Sequence, residues 1–157
     1  MANNTNLNEA LTEAQIRMLD IVLDMIVPAD TERGLPSAAE LNFAGYISEY
    51  ASGSIEAIHN ELEALDTQAI AQHGSPFNEL TEDVRETLVE KLRQEDRQFC
   101  WAIAEQTMFC YYQDERVVQA LGMRPGAPFP EGNKVVSGDL LLLEPVKRRG
   151  QVYRDIN

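Results

Sequence analysis

Apolar residues recur at helical spacing along most of the chain. Ile16, Leu19, Leu23 and Ile26 stand at i, i+3, i+7 and i+10 behind Thr12-x-x-Gln15, a capping-box pattern, and Pro28 stops this first helix. Residues 1–11 are polar and are expected to fray. After the loop PADTERGLP, Ser37-x-x-Glu40 repeats the capping-box pattern and predicts a helix with Leu41, Ala44 and Ile47 inward, Tyr50 as a fourth candidate, failing at Ser52-Gly53. Ser54 can cap a third helix, with Ile55, Ile58, Leu62, Leu65, Ala69 and Ile70 on one face and Gly74 after its last turn. Thr81 caps a fourth, with Glu82 and Asp83 in the first turn and Val84, Leu88 and Leu92 inward.

The stretch Phe99–Tyr112, FCWAIAEQTMFCYY, breaks the alternation. Only Glu105, Gln106 and Thr107 are polar, so apolar groups cover almost the whole circumference of a helix here. Such a helix belongs inside a bundle or against a partner, which predicts a central helix capped by Asp96. A break at Asp114 and a short helix from Glu115 to Leu121, ended by Gly122, follow. Residues 123–134 hold three of the seven prolines, and no helix is expected there. Residues 135–157 read as extended chain. Leu140–Leu143 is a short apolar run, and a hairpin turning near Lys147–Gly150 or an arm lying on another protein both fit the pattern. The fold class is therefore all-α: a bundle of five or six helices over residues 12–132, with an extended C-terminal arm or short β-hairpin over 133–157.

Composition narrows the partners. At 157 residues one domain is the default, and about 68–70% of the unfolded surface can be buried. The net charge of −13 argues against nucleic acid or an anionic membrane surface as the main partner. The charge is uneven: residues 1–115 carry 22 acids and 6 bases, and residues 116–157 carry 4 acids and 7 bases. That pattern fits a solvated acidic body with a mildly basic tail, or a tail that docks on something acidic. No apolar run approaches the 18 or so residues of a transmembrane helix. The N-terminus has no basic region, apolar core or twin arginine, so it is not an export signal as written.

Candidate chemistry is sparse. The nine glycines form neither GxGxxG nor GxxxxGK[ST], and there is no CxxCH and no cysteine cluster for zinc or iron–sulfur. On a continuous helix Cys100 and Cys110 would lie about 15 Å apart, which points to two buried free thiols rather than a disulfide. His59 and His73 lie about 21 Å apart on one helix and cannot share a metal within one chain. Glu105 has two readings: a carboxylate buried in the most apolar helix, with a neighbouring Tyr as acid and base, or one member, with Gln106 and Thr107, of a face that meets solvent or a polar seam. The most specific local feature is Gly126-Ala127-Pro128-Phe129-Pro130, where two prolines stiffen the backbone around an aromatic ring. Phe129 either plugs the helical core or anchors a partner.

Three pieces in order carry a family resemblance. They are a helix running into a Pro-Ala-Asp loop (Leu19–Asp30), a Phe-x-x-Leu-Thr step before a helix (Phe77–Thr81), and an aromatic helix leading to Gly-x-x-x-Gly-x-Pro-Phe-Pro (Gly122, Gly126, Pro128, Phe129, Pro130). Over roughly residues 12–132 the chain resembles the gluconate 2-dehydrogenase subunit 3 family, the small subunits of FAD-dependent sugar and polyol dehydrogenases. The resemblance implies a non-catalytic helper with no cofactor or metal of its own. Its partner would be a large glucose–methanol–choline-type subunit that holds FAD and oxidises a sugar, sugar acid or glycoside. A cytochrome c or another carrier would take the electrons. It implies a periplasmic complex where the pair is exported as in the family, and a cytoplasmic one on this sequence as written. Candidate partner-contact residues are Phe129, Pro130, Leu140, Leu141, Leu142, Leu143 and Tyr153. The rival readings are a free-standing acidic helical interaction protein and an enzyme built on Glu105.

Overall fold

A computed structural model describes residues 6–126 and 136–150. The chain divides into two compact units, Met1–Pro125 and Gly126–Asn157. Among the described residues there are eight α-helices and no strand.

The first unit is a helical bundle. Helix α1, Leu7–Ala10, was not expected: residues 6–11 do not fray. Leu7 and Leu11, one helical turn apart in an otherwise polar segment, are both buried. The Leu7 N–H donates to the Ser48 hydroxyl at 3.4 Å, and Asn6 caps the turn. Helix α2, Glu13–Ile26, begins with the capping box at Thr12 and Gln15 in both directions. The loop after Pro28 is ordered by a backbone pair between Asp30 and Leu35, 2.9 Å each way, with Gly34 at φ 68°.

The second capping box forms, but it caps a single 3-10 turn, Ala38–Glu40, rather than the helix that follows. That helix, α3 (Phe43–Tyr50), takes its cap from Asn42. It buries Phe43 and Ile47 and leaves Tyr50 exposed, against expectation. Helix α4, Ile55–His73, buries Ile55, Ile58, Leu62, Leu65 and Ala69 and ends at Gly74, φ 75°, as its sequence predicts; Ile70 is exposed, and Ser54 does not cap the helix with its side chain because it closes a 3-10 turn, Ser52–Ser54, that runs straight into it. Helix α5, Glu82–Glu95, buries Leu88 and Leu92 and leaves Val84 half-buried; against expectation the Thr81 side chain makes no cap hydrogen bond, and only its carbonyl accepts, from Arg85 N–H at 3.0 Å.

The Phe-x-x-Leu-Thr step between α4 and α5 is a clamp. Phe77 is fully buried, and its N–H donates to Asp66 at 2.8 Å. Arg85 donates to the Phe77 and Asn78 carbonyls at 3.1 and 2.8 Å and lies over the Phe77 ring, 5.8 Å from its centre.

The central helix is α6, Trp101–Tyr111, packed against α2, α3 and α4. It starts two residues later than its apolar run suggests. Asp96 does not cap it: the Asp96 carboxylate accepts from Gln98 N–H, closing a tight turn in which Cys100 takes φ 56°. Helix α7, Glu115–Ala120, is capped by Asp114 and ended by Gly122. Gly122 N–H donates to Gln119 and Met123 N–H to Val118, the paired bonds of a Schellman ending, with Gly122 at φ 76°.

In the second unit the expectation of extended chain or a hairpin is overturned for residues 140–148. Leu140–Leu143 is a 3-10 turn capped by Asp139, and Glu144–Arg148 is a short helix, α8. Pro145 sits in the first turn of α8, where a missing N–H costs nothing, so it starts a helix instead of ending a strand.

Candidate partner-docking face

Helix α6 is turned the opposite way from what its polar residues suggest. Ile103, Gln106, Thr107, Cys110 and Tyr111 are buried. At 100° per residue these fall on one side, and Trp101, Glu105, Met108, Phe109 and Tyr112 fall on the other. All five of the latter are exposed: Trp101 by 59%, Met108 by 39%, and Phe109 and Tyr112 by 54% each. The polar strip expected at solvent therefore reaches it only at Glu105.

Local hydrogen bonds allow this inversion. Thr107 donates its hydroxyl to the Ile103 carbonyl at 2.6 Å, and Gln106 accepts from the Tyr46 hydroxyl at 3.3 Å. The Thr107 hydroxyl and the Gln106 carbonyl oxygen are thus partnered inside the bundle. Tyr111 donates to the Pro36 carbonyl at 2.9 Å and tethers the end of α6 to the loop after the Pro-Ala-Asp segment. Burial raises the Tyr111 and Tyr46 pKa values above the usual tyrosine range.

The start of α6 is held from another helix. One Glu61 carboxylate oxygen accepts from Ala102 N–H at 2.9 Å, and the other from Ile103 N–H at 3.0 Å. An anion at a helix N-terminus meets both the free N–H groups and the positive end of the dipole. No side chain within α6 supplies this cap. Beside it, burial and then the Glu61 charge push the Cys100 thiol up to about 12; burial and then Asp114 push Cys110 up to about 11. Both are free, buried thiols, as the sequence predicts.

Next to Trp101 lies a groove of about 510 Å³ between α2, α5 and the start of α6. Its floor is apolar, with Met25, Ile26, Val89, Phe99 and Ala104, and its rim carries Glu86, Glu90, Arg93 and Arg97. Trp101 belongs to both the groove and the α6 stripe, so the two are continuous.

The other candidates fall elsewhere. Leu140–Leu143, in the second unit, are exposed by 48–75%. Phe129, Pro130 and Tyr153 lie outside the described residues. Gly122 and Gly126, at φ 76° and 95°, occupy left-handed backbone, which accounts for glycine at both positions of that motif. Glu105 is exposed; it is not the buried carboxylate that the enzyme reading needs. Among the described residues no group of three or more His, Cys, Asp or Glu is placed to hold a metal ion, and no helix is long and apolar enough to cross a membrane. The α6 face itself was missed by sequence reasoning. Its signal was present, since 101, 105, 108 and 112 share one side of a helix, but nothing in the pattern says which side faces out.

These features define an all-α protein with one aromatic helix face left open. The family model described as gluconate 2-dehydrogenase subunit 3 matches residues 13–126, and the chain belongs to that family. No curated protein and no solved structure matches the chain.

Proposed function

We propose that this protein is the non-catalytic small subunit of a FAD-dependent dehydrogenase that oxidises a sugar, sugar acid or glycoside. FAD and catalysis belong to a large subunit of the glucose–methanol–choline type, and a cytochrome c or similar carrier takes the electrons. The family match over residues 13–126 carries this reading, because the family is by description a dehydrogenase subunit. The open apolar surfaces support it: α6 presents four large apolar side chains to solvent, and the second unit presents four leucines. Patches of this kind are disfavoured on a lone soluble chain and ordinary on one that works in a complex.

The mechanism is association. A subunit that binds only the native, flavin-loaded form of its partner stabilises that form by mass action. The exposed Leu140–Leu143 run, with Phe129, Pro130 and Tyr153, supplies one set of contacts in this scheme. The test is purification of the tagged chain from its own cell. Co-elution of a flavin-containing dehydrogenase subunit supports the reading. Flavin absorbance or dehydrogenase turnover by the isolated chain contradicts it.

A further inference from the structure

Resting on that reading, we infer that the outer face of α6 docks a partner surface that is apolar and carries one Arg or Lys opposite Glu105. Trp101, Met108, Phe109 and Tyr112 surround Glu105 on this face and are each more than a third exposed. Three half-exposed aromatic rings offer on the order of 300 Å², already the size of a functional patch. A stable interface takes about 800 Å² from each partner. The adjoining groove, which Trp101 helps to line, extends the seat toward that size.

The carboxylate identifies the occupant. Glu105 makes no hydrogen bond or ion pair among the described residues. Today water solvates it. Covering it with a purely apolar surface leaves a buried, unpaired charge, which is strongly unfavourable. The occupant must therefore bring a cation to this point. A second copy stacked face to face about a two-fold near Glu105 sets the two carboxylates against each other, and two chains of net charge −13 repel. The face fits a different protein, whose apolar surface is broken by a basic side chain.

The experiment expresses the tagged full chain in its own cell and quantifies co-purified dehydrogenase subunit by bound-flavin absorbance. Phe109→Asp and Glu105→Lys are each expected to lower recovery at least tenfold. Ile70→Asp, at an exposed apolar position on α4, is expected to leave it unchanged. Glu105→Gln is expected to give a smaller loss and a complex less sensitive to salt than the wild type. A photo-crosslinking residue at position 109 requires no destabilising charge, and it is expected to join the chain to the flavin subunit. Undiminished recovery with both charge variants, no crosslink from 109, or a crosslink only to a second copy overturns the assignment while leaving the subunit reading intact. Failure of the wild-type chain to recover any flavin subunit overturns that reading and this assignment together.

Discussion

Glu61 caps a helix that begins 40 residues further along the chain: its carboxylate accepts from Ile103 N–H at 3.0 Å and from Ala102 N–H at 2.9 Å. It thus fixes where α6 starts and how its aromatic face is aimed. Hydrogen bonds to a charged group contribute about 1.5–3 kcal/mol each way of counting, and a lost helix cap about 1 kcal/mol. Glu61→Ala is expected to destabilise the chain by about 2 kcal/mol in urea unfolding, and Glu61→Gln, which keeps one acceptor, by about 1 kcal/mol. A loss below about 0.5 kcal/mol for Glu61→Ala contradicts the capping role.

Trp101 and Ile103 lie two residues apart and should respond in opposite ways. Trp101 is mostly exposed and Ile103 fully buried. Ile103→Ala is expected to cost about 2–5 kcal/mol, and Trp101→Ala less than about 1 kcal/mol. The tryptophan emission of the isolated chain should be readily quenched by acrylamide. A large stability loss at Trp101 places the ring in the core and removes it from the docking face.

The buried thiols set an alkaline limit. The Cys100 pKa rises from about 9 to about 12 on folding, so the folded state holds the proton more tightly than the unfolded chain. Its contribution is complete below about pH 9 and is lost as pH rises toward 12. The urea midpoint should fall between pH 9 and 10.5, and less steeply in Cys100→Ala. At pH 8 native Cys100 and Cys110 should resist iodoacetamide and react once urea unfolds the chain.

Gly122 ends α7 at φ 76°. A side chain there is strained even though the surrounding space is open. Gly122→Ala is expected to cost about 1–2 kcal/mol, read as a lower Tm with unchanged helical circular dichroism below the transition. An unchanged Tm removes the conformational argument for that glycine.

Most helices are legible in the sequence because their signals are local. Thr12 with Gln15, Gly74 and Gly122 each mark an end through groups within four residues. The orientation of α6 is not local. A helix apolar all round has no phase in its pattern, and its one phase marker misleads because Thr107 and Gln106 are partnered inside. The Glu61 cap was likewise hidden by its distance along the chain. At Asp96 and Ser37 the cap residues were recognised, but each closes a short turn instead of starting a long helix. Pro145 reads as a strand boundary until its place in the first turn of α8 is seen.

If this chain works by holding a flavin-bearing dehydrogenase subunit, as proposed, the two travel together. Size-exclusion chromatography of the tagged chain purified from its own cell, followed at flavin and protein wavelengths together, tests it most directly. One peak that contains both the chain and a flavin-absorbing dehydrogenase subunit is expected. A chain that elutes alone, with no flavin in any fraction it occupies, contradicts it.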